Sequence, residues 1–396
     1  MNQRRDNDIG VIAVVPDAWD SVWTTRHHLL RRVARRWPVV WLEPAAGWRD
    51  YWRPDSARFM HSRQFYSPLP GLEVLTPGMF DAEFYKPAIA RRVALRLRYT
   101  AAARRLCERG VRRIVLYIWR DAFAEALEHT PHHLSCYHID DEYTFSDVDL
   151  PVSPREANLI RRVDQVFVHS RTLFAKKGSL NANTTLVPNG VDYSAFVDDH
   201  PEPADLAAIE HPRIGCIGVV KRQLDLARLT RLARARRDWS FVMIGPRGQL
   251  AGKQDDFEAL SAEPNVHMLG GRPATSLPAY AQHLDVGLMP YENNGYTRYI
   301  DPLKLKEYLA AGLPVVATPI DAVKAYADVV ARANDDTQWL NAIEHAIAHR
   351  RDPVAIHARR ARASRYDWDL LARRVTDTIE HRLAGMTGPA LAEVEA

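Results

Sequence analysis

The chain alternates short apolar runs with segments whose apolar residues recur every three or four positions. The first strands are predicted from DIGVIAVVP, PVVWLEP and RRIVLYIW, which have the unbroken hydrophobic character of parallel strands covered on both faces. Between the first two runs, Leu29, Leu30, Val33 and Trp37 recur at helical spacing among arginines. A strand, a helix and a second strand in this order predict a β-α-β unit. The chain therefore opens as an α/β protein with a parallel sheet.

The same alternation begins again after a polar, proline-rich stretch between Phe196 and Pro212. Further strands are predicted from PRIGCIGVV, DWSFVMIGPRG, NVHMLGGRP and the end of LPAYAQHLDVGLMPY, with helices between them. A chain of 396 residues is too long for one ordinary core and fits two domains. We expect an N-terminal domain, a C-terminal domain, a last helix and a disordered tail, over residues 1–197, 198–365, 366–384 and 385–396.

Composition excludes several classes of protein. The chain is 46% hydrophobic and 26% charged, as soluble globular proteins are. Its apolar runs are far shorter than the ~20 residues of a membrane-spanning helix, and the N-terminus lacks a signal-peptide core. The three cysteines are isolated, and the sixteen histidines show no metal-ligand spacing. The sequence therefore predicts a cytoplasmic protein without a disulfide framework and without a metal cofactor.

The positive charge is concentrated near the start of the chain. Residues 1–113 hold 21 Lys and Arg against 11 Asp and Glu, although the whole chain has a formal net charge of only +4. Between a long loop predicted over residues 44–80 and the third strand, a helix is predicted over about 82–109. Its arginines and apolar stripe are typical of a surface that contacts an anionic membrane or a bound acceptor. The arginines assigned to that surface are Arg91, Arg92, Arg96 and Arg98.

Two other interpretations of this helix remain open. It could pack on the sheet with its arginines facing water, as many amphipathic helices do. Nucleic acid is a weaker partner, because no recognised binding module accompanies the charge, and we expect none.

The segment YENNGYTRYIDPLKLKEYLAAGLPVVAT, residues 291–318, carries the strongest chemical signal. Asp301 and Pro302 predict a helix start, and Gly312 predicts its left-handed end. Lys304 in the first turn suits a phosphate, because a helix N-terminus already favours anions. Glu307, one turn further on the same face, suits a pair of ribose hydroxyls. The alternative is an ordinary amphipathic helix with a surface Lys–Glu pair.

Further candidates for the same site come from neighbouring strands. Gly218 follows the first strand of the second half, where a glycine lets the backbone approach a pyrophosphate. Lys221 and Arg222 come directly after it, and Tyr291 follows a later strand. The segment is not GxGxxG, so it lacks the usual dinucleotide fingerprint.

The N-terminal half has its own acidic turn in SCYHIDDEYTFSD. Asp140 and Asp141 follow an apolar strand, at the edge of the sheet where open α/β proteins place their ligands. Such a carboxylate can take a proton from an attacking hydroxyl, although aspartates also serve in turns. Asp147 and Asp149 formally match the DxD motif with which metal-dependent sugar transferases of a different fold bind their metal. Two aspartates at this spacing arise readily by chance, so we expect no metal there.

The stretch PLKLKEYLAAGLPVV resembles the PLKLxEYLAxGxPVV signature of GT-B glycosyltransferases of the bacterial teichuronic-acid type. It is more distantly similar to the xanthan glucuronosyltransferase. The resemblance extends from about Val11 to the helix after Trp368. It implies two Rossmann-like, doubly wound parallel-sheet domains that face a cleft, and a last helix that returns to the first domain.

The resemblance also implies a function. A nucleoside-diphosphate sugar, expected to be UDP-linked, would bind the C-terminal domain through the donor residues named above, without a metal. The N-terminal domain would hold a saccharide or polyprenyl-linked acceptor at the inner membrane face. Asp141 matches the base of xanthan-type enzymes, with Asp140 in support. Tyr299 stands where the wider group has the first glutamate of Glu-x7-Glu, so retention or inversion stays open.

Three other functions are compatible with the sequence. A nucleotide-sugar epimerase of the same fold would use the donor site alone. A non-catalytic nucleotide-sugar-binding protein would tolerate the loss of Asp141. A basic nucleic-acid-binding protein would show steeply salt-dependent binding without any need for a nucleotide sugar.

Overall fold

The computed structural model describes residues 8–45, 63–78, 81, 88–144 and 146–385. These residues form two compact units. The N-terminal unit contains the described residues up to 141 together with 152–187 and 371–385. The C-terminal unit contains 142–144, 146–151 and 188–370. The division falls earlier in the chain than the predicted boundary at 197/198. The predicted tail, apart from Gly385, lies outside the described residues.

Eight described strands form the sheet of the N-terminal unit: β1 (Ile9–Val14), β2 (Val39–Leu42), β3 (Gln64–Leu69), β4 (Leu72–Thr76), β5 (Arg113–Ile118), β6 (Leu134–Ile139), β7 (Gln165–Val168) and β8 (Thr184–Leu186). Their order is β3-β4-β2-β1-β5-β6-β7-β8. All neighbouring pairs are parallel except β3 and β4. In the central strand β1, every residue is buried, as the continuous apolar run predicts.

The prediction of one long loop over residues 44–80 is wrong for residues 64–76. These residues form the antiparallel pair β3 and β4, which turns at Gly71 in the left-handed region with φ of 86°. Pro68 obscures the strand in the sequence because proline cannot donate to a sheet ladder. The edge position of β3 accommodates it. Residues 46–62 and 79–80 of the predicted loop lie outside the described residues.

Six described strands form the sheet of the C-terminal unit: β9 (Arg213–Ile217), β10 (Ser240–Ile244), β11 (Val266–Gly270), β12 (Val286–Met289), β13 (Val315–Ala317) and β14 (Val330–Arg332). Their order is β11-β10-β9-β12-β13-β14, and all pairs are parallel. This is the doubly wound order, in which the direction of winding reverses between β9 and β12. The N-terminal sheet reverses in the same way between β1 and β5.

The described helices are α1 (Thr25–Val33), α2 (Ala88–Glu108), α3 (Ala126–His129), α4 (Pro154–Arg162), α5 (Arg171–Lys177), α6 (Tyr193–Val197), α7 (Ala204–Ala207), α8 (Leu226–Ala235), α9 (Gln254–Ser261), α10 (Leu277–Gln282), α11 (Leu303–Ala311), α12 (Asp321–Lys324), α13 (Asp336–Ala348), α14 (Pro353–Ser364) and α15 (Trp368–Ala384). Helix α8 is an example of how capping and apolar spacing form these helices. Asp225 Oδ1 accepts from the amide of Arg228 at 2.9 Å, and Leu229 and Leu232 pack into the core at helical spacing.

Helix α15 joins the N-terminal unit from Leu371 onwards. The guanidinium of Arg36 donates to Asp377 at 2.7 Å and to Glu380 at 2.6 Å on this helix. Nearer its end, the guanidinium of Arg382 donates to the backbone oxygen of Asp164 at 3.3 Å. The chain thus comes back to its first unit after completing the second.

Candidate functional site

The reversal point of the C-terminal sheet is formed by residues that follow β9 and β12. Ligands of doubly wound sheets bind at this point, outside the carboxyl ends of the strands. Gly218 directly follows β9, and Tyr291 is the second residue after the end of β12. Gly218 has a φ of 117°, which favours glycine, and its amide donates to the oxygen of Ile244 at 2.8 Å. Two residues predicted for the donor site therefore lie where the topology opens a crevice.

Lys304 reaches this crevice from helix α11. A Cβ added to Gly218 would lie 3.3 Å from Lys304 Nζ and 3.4 Å from its Cε. A side chain at position 218 would therefore occupy the space beside the ammonium group. Gly245, which no sequence motif marks, leaves room for the backbone of Gly218. A Cβ there would overlap the backbone oxygen of Gly218, so β10 can end this close to the site only with glycine.

The environment of Lys304 maintains its positive charge. Its Nζ lies 3.7 Å from Cys216 Sγ and 5.4 Å from the centroid of the Tyr291 ring. Burial lowers the pKa of Lys304, but Cys216, Tyr291 and Glu307 raise it by more, so its pKa lies above the ordinary value for lysine. An ammonium group therefore stands beside Gly218 at neutral pH.

Glu307 lies one turn further along α11. Burial raises the pKa of its carboxyl group to about 7, although Lys304 and Lys306 act in the opposite direction. Hydroxyl donors that approach this group would favour its ionised form. The pair of ribose hydroxyls predicted for Glu307 is such a donor set.

Helix α11 begins differently from the sequence prediction. Asp301 does not cap it: the N-cap position is Pro302, and the described residues provide no side-chain cap there. The Asp301 carboxylate instead accepts from the amide of Asn189 at 2.9 Å and from Lys306 Nζ. Among the described residues, the first-turn amides of α11 therefore have no side-chain cap. An anionic ligand can take that place.

Lys306 is a residue that the sequence analysis missed. Its side chain is fully buried and forms an ion pair with Asp301. Asn189 completes the arrangement, because its Nδ2 donates to the backbone oxygen of Asp301 at 2.6 Å. The start of α11 is therefore fixed to the loop at Asn189. The five-residue separation of Asp301 and Lys306 is not a usual helical pairing distance, which is why the pattern gave no signal.

Lys221 and Arg222 lie on the loop that continues from Gly218. The amide of Arg222 donates to the oxygen of Gln249 at 3.1 Å, which fixes the loop beside the turn after β10. The Arg222 guanidinium reaches Asp147 Oδ1 at 3.4 Å. Arg222 is thus beside the predicted donor residues but is also joined to the segment around Asp147.

The reversal point of the N-terminal sheet holds an arginine between two carboxylates. Arg26 pairs with Asp17, and its Nη2 lies 2.7 Å from Asp140 Oδ2. The side chains of Arg26 and Asp140 are almost fully buried. Asp140 is therefore engaged as a partner of Arg26, and its supporting role in catalysis stays a prediction. Asp141, the next residue, is half-buried and ends the first part of this unit.

Aromatic residues surround this arginine. Its guanidinium lies 5.6 Å from the centroid of the Trp119 ring, and Trp119 stacks on His138 with centroids 4.3 Å apart. Burial lowers the pKa of His138 to about 3, so the imidazole is neutral. Tyr117 holds the ring through a hydroxyl 2.8 Å from Nδ1. No sequence motif marks Arg26 or these aromatic residues, because they come from separate strands and helices.

The predicted surface of helix α2 requires one correction. Arg98 is only 5% exposed, because it lies on the same helical face as Leu95 and Ala102, which are buried in the core. It is therefore not part of a contact surface. Arg91 lies 3.3 Å from Glu125, whereas Arg92 and Arg96 are exposed.

An apolar stripe lies beside the two exposed arginines. Ile89, Val93 and Leu97, four residues apart, are exposed to 75%, 52% and 59%. Exposed large apolar residues at one helical spacing are typical of an interaction surface. The predicted helix residues 82–87 lie outside the described residues.

The described residues lack two features, a membrane-spanning helix and a cluster of metal ligands. They contain no helix long and apolar enough to cross a membrane. Within the same ranges there is also no group of three or more His, Cys, Asp or Glu residues placed to hold a metal ion.

Comparison with known proteins supports the resemblance seen in the sequence. Residues 211–349 match the family model described as "Glycosyl transferases group 1". A protein of Bacillus subtilis (strain 168), described as "Putative teichuronic acid biosynthesis glycosyltransferase TuaH", is 29% identical over 234 residues. This match covers 57% of the chain and 58% of that relative, so it spans less than two thirds of the relative's length. The resemblance to teichuronic-type group 1 glycosyltransferases is confirmed over these regions, whereas that to the xanthan enzyme stays a prediction.

Solved structures resemble nearly the whole chain. A glycosyltransferase from Rickettsia africae ESF-5 has a TM-score of 0.66 at 12% identity, covering 96% of this chain and 100% of its own. An α,α-trehalose-phosphate synthase (UDP-forming) from Burkholderia xenovorans, in complex with glucose-6-phosphate, has a TM-score of 0.66 at 13% identity, covering 95% and 100%. At such identities the similarity concerns the fold alone. The predicted α/β fold of GT-B type, with two doubly wound sheets, is confirmed.

Proposed function

We propose that this protein is a glycosyltransferase that moves a sugar from a nucleoside-diphosphate sugar, with UDP as the nucleotide, to a saccharide or polyprenyl-linked acceptor in cell-surface polysaccharide biosynthesis. The observation that carries the proposal is the group of Gly218, Lys304 and Glu307 at the reversal point of the C-terminal sheet. A cation, an open glycine backbone and a carboxylate occur there together with the start of a helix. A nucleoside diphosphate has two phosphates, which suit the cation, the glycine backbone and the helix start, and a ribose diol, which suits the carboxylate.

Leaving-group stabilisation is the first task of the donor residues. The diphosphate gains negative charge as the sugar departs, and Lys304 with the first amides of α11 would neutralise it. Lys221 and Arg222 extend the positive charge along the same loop. Charge-assisted hydrogen bonds contribute roughly 1.5–3 kcal/mol each, so these groups can do the work that a metal does in other sugar transferases.

Activation of the acceptor falls to Asp141 in the N-terminal unit. A carboxylate within hydrogen-bond reach of the acceptor hydroxyl can take its proton as the bond to the anomeric carbon forms. Asp140 is a weaker candidate, because its carboxylate already pairs with the buried Arg26. We assign Asp141 as the base and Asp140 as the residue that fixes the turn.

A peripheral position at the inner face of the membrane follows from the proposed acceptor and from helix α2. Arg92 and Arg96 would meet anionic headgroups, and the stripe of Ile89, Val93 and Leu97 would enter the interface. Polyprenyl-linked acceptors lie in this interface, so docking there brings enzyme and acceptor to one surface.

Thermal-shift measurement with a panel of nucleotides tests the proposal. A ligand that binds only the folded protein raises its melting temperature. We expect UDP and UDP-sugars to raise it more than the matching adenosine and guanosine nucleotides, and the Lys304→Ala variant to lose most of the shift. No shift with any nucleotide would contradict the proposal.

Product analysis then separates the proposed enzyme from its alternatives. Sugar transfer should require added acceptor, whereas an epimerase would convert the nucleotide sugar alone. A non-catalytic binding protein would bind donor and form no product with any membrane extract.

A further inference from the structure

A segment from the middle of the N-terminal half belongs to the C-terminal unit. Residues 142–144 and 146–151, here called the strap, belong to the C-terminal unit, whereas Asp141 and Val152 belong to the N-terminal unit. The strap contains Asp147 and Asp149, the pair that resembles a metal-binding DxD motif. Its position gives these aspartates a different set of neighbours from those of a metal site.

The strap lies directly on the loop that follows β12. The amide of Gly295 donates to the backbone oxygen of Asp147 at 2.6 Å, and Asn294 Nδ2 donates to its carboxylate at 3.1 Å. A Cβ at position 295 would lie 2.5 Å from the amide nitrogen of Asp149 and 2.6 Å from the oxygen of Asp147. Backbone atoms cannot yield to such contacts easily, so glycine at 295 is a condition for the strap to dock.

Asp149 is held by two residues of the same loop. The Tyr299 hydroxyl donates to Asp149 Oδ2 at 2.7 Å, and Arg298 Nη1 lies 3.6 Å from the same oxygen. Tyr299 is itself buried, at 4% exposure, which fixes the position of its hydroxyl. A carboxylate therefore arrives from the strap at the end of a tyrosine that stands eight residues before Glu307.

A cavity of about 560 Å³ opens beside this contact. Asp147, Asp149, Asp321, Arg298 and Lys324 provide its charged lining, and two asparagines, Gly295 and Pro319 complete it. Asp147 of this lining also contacts Arg222, one of the residues proposed to bind the diphosphate, at 3.4 Å. Its volume falls within the usual range for small-molecule pockets.

The charges of the lining favour a neutral, hydroxyl-rich occupant. Three carboxylates face two cations, and both cations are already paired with carboxylates of the lining. Arg298 lies 3.5 Å from Asp321 and 3.6 Å from Asp149, and Lys324 pairs with Asp321. Sugar hydroxyls can donate to these carboxylates, whereas a sugar carboxylate would meet their repulsion without an uncommitted cation.

We propose that this cavity receives the sugar of the donor, that the sugar is a neutral hexose rather than a uronate, and that Asp149 accepts a hydrogen bond from one of its hydroxyls. Asp149 is then a specificity-determining residue that the strap supplies to the donor site. Tyr299 and Arg298 are positioning residues that act through Asp149. The inference rests on the proposed function, since it assigns the sugar part of the same donor.

Isothermal titration of the full chain tests the assignment, with UDP, UDP-glucose, UDP-galactose, UDP-N-acetylglucosamine and UDP-glucuronate as probes. For the parent protein we expect at least one neutral UDP-hexose to bind more tightly than UDP-glucuronate. Asp149→Asn should weaken binding of that hexose donor about tenfold, the size of one hydrogen bond to a charged group. UDP, which lacks the sugar, should bind the variant as it binds the parent. UDP-glucuronate should gain affinity, because one repelling charge is removed.

Two further variants and one control sharpen the result. Tyr299→Phe keeps the ring and removes the hydroxyl, so it should show the same pattern with a smaller loss. Gly295→Ala should displace the strap and give the largest loss for the hexose donor. Asp255→Asn removes the same charge from an exposed position in the same unit and should change none of the affinities.

The outcomes distinguish this inference from the proposed function. Tighter binding of UDP-glucuronate than of every hexose donor would overturn the neutral sugar, and equal losses for UDP and the hexose donor in Asp149→Asn would overturn the hydroxyl contact. In both cases nucleotide binding itself would stand. Absence of binding by UDP and all four UDP-sugars to the parent protein would overturn the proposed function together with this inference.

Discussion

In the C-terminal unit, the point where the strand order reverses is lined by Gly218, Lys304 and Glu307. In the N-terminal unit, the corresponding region holds Arg26 between Asp17 and Asp140, beside Trp119. Both sheets are doubly wound and open a crevice at the same topological position. One crevice presents a cation and a glycine backbone to an anion, whereas the other commits its arginine to two carboxylates of its own chain.

Under the proposed function, the two crevices serve two different tasks within one architecture. The C-terminal crevice has groups whose partners a diphosphate and a ribose could supply. In the N-terminal crevice Arg26 pairs with Asp17 and Asp140, and the acidic turn at Asp141 is the feature that we propose as reactive. Variants in the two units should therefore affect different quantities, namely donor affinity in one and turnover in the other.

The largest expected effect belongs to Asp141. Asp141→Asn preserves the shape of the side chain but removes its ability to accept a proton, so turnover should fall by ~10²–10⁴. Donor affinity should stay at the parent value. Transfer of radiolabelled sugar from the donor to a membrane extract measures the first quantity, and donor titration of the same samples measures the second. Parent-like transfer by this variant would remove Asp141 from the role of base.

Stability of the C-terminal unit should depend strongly on Lys306. Lys306→Met leaves Asp301 without its buried cation, and breaking one side of a buried ion pair costs about 3–5 kcal/mol. Urea unfolding should show an earlier transition for this variant. Lys324→Met is the control, because it breaks the exposed pair with Asp321 and should cost about 1 kcal/mol or less. Equal midpoints for the two variants would mean that the Asp301–Lys306 pair does not anchor α11.

Loss of the Lys304 ammonium should weaken the donor site without unfolding the unit. Lys304→Ala should raise the donor dissociation constant about 10- to 100-fold, because a charge-assisted hydrogen bond contributes roughly 1.5–3 kcal/mol. Calorimetric titration checks the value. Lys176→Ala, in the N-terminal unit, should leave it unchanged, and a similar loss in both variants would point to a general charge effect.

Helix α2 is predicted to bind anionic membranes, and changes to it should leave donor binding unaffected. Arg92→Gln with Arg96→Gln should reduce binding to anionic vesicles by about 30-fold, since each basic residue contributes about 1 kcal/mol at the surface. Co-sedimentation at low salt measures the loss. Arg104→Gln, further along the same helix and also exposed, is the matched control. Donor binding should be the same in all three proteins.

The smallest effect is the pH dependence that Glu307 gives to donor binding. Its pKa is raised to about 7, so a ligand that favours the carboxylate should bind more tightly as pH rises from 6 to 8, by about tenfold. A UDP-sugar is the suitable probe, because the terminal phosphate of UDP itself titrates near pH ~6. Glu307→Gln should give weak binding that no longer changes over this interval. A dependence of the opposite sign would exclude Glu307 as the ribose acceptor.

The grouping of Gly218, Lys304 and Glu307, which we propose as the donor site, could be predicted from sequence because these residues lie in contiguous, ordered motifs. Lys304 and Glu307 share one helix, and Gly218 ends a strand whose apolar run is plain. Asp301 shows the limit of such reasoning. Capping is the commonest role of an aspartate before a proline, but tertiary partners, Asn189 and Lys306, took its carboxylate instead.

The strap shows a second limit. Tyr299 and Asp149 are 150 residues apart in the sequence, and no local pattern joins them. The pair Asp147 and Asp149 had a familiar spacing but an unfamiliar setting, which only the fold reveals. Arg26 was hidden for the same reason, since its partners Asp17 and Asp140 follow different strands. Local motifs therefore indicated the residues proposed to bind the donor, whereas contacts between distant segments determined what surrounds them.

A crystal structure of the protein with UDP tests most directly whether the nucleotide binds at Gly218, Lys304 and Glu307. We predict that the diphosphate lies within hydrogen-bond distance of Lys304 Nζ and the backbone at Gly218, with the ribose hydroxyls on Glu307. The first-turn amides of α11 should face the phosphate oxygens. Ordered UDP at another place in the C-terminal unit, or with its ribose directed away from Glu307, would contradict the account.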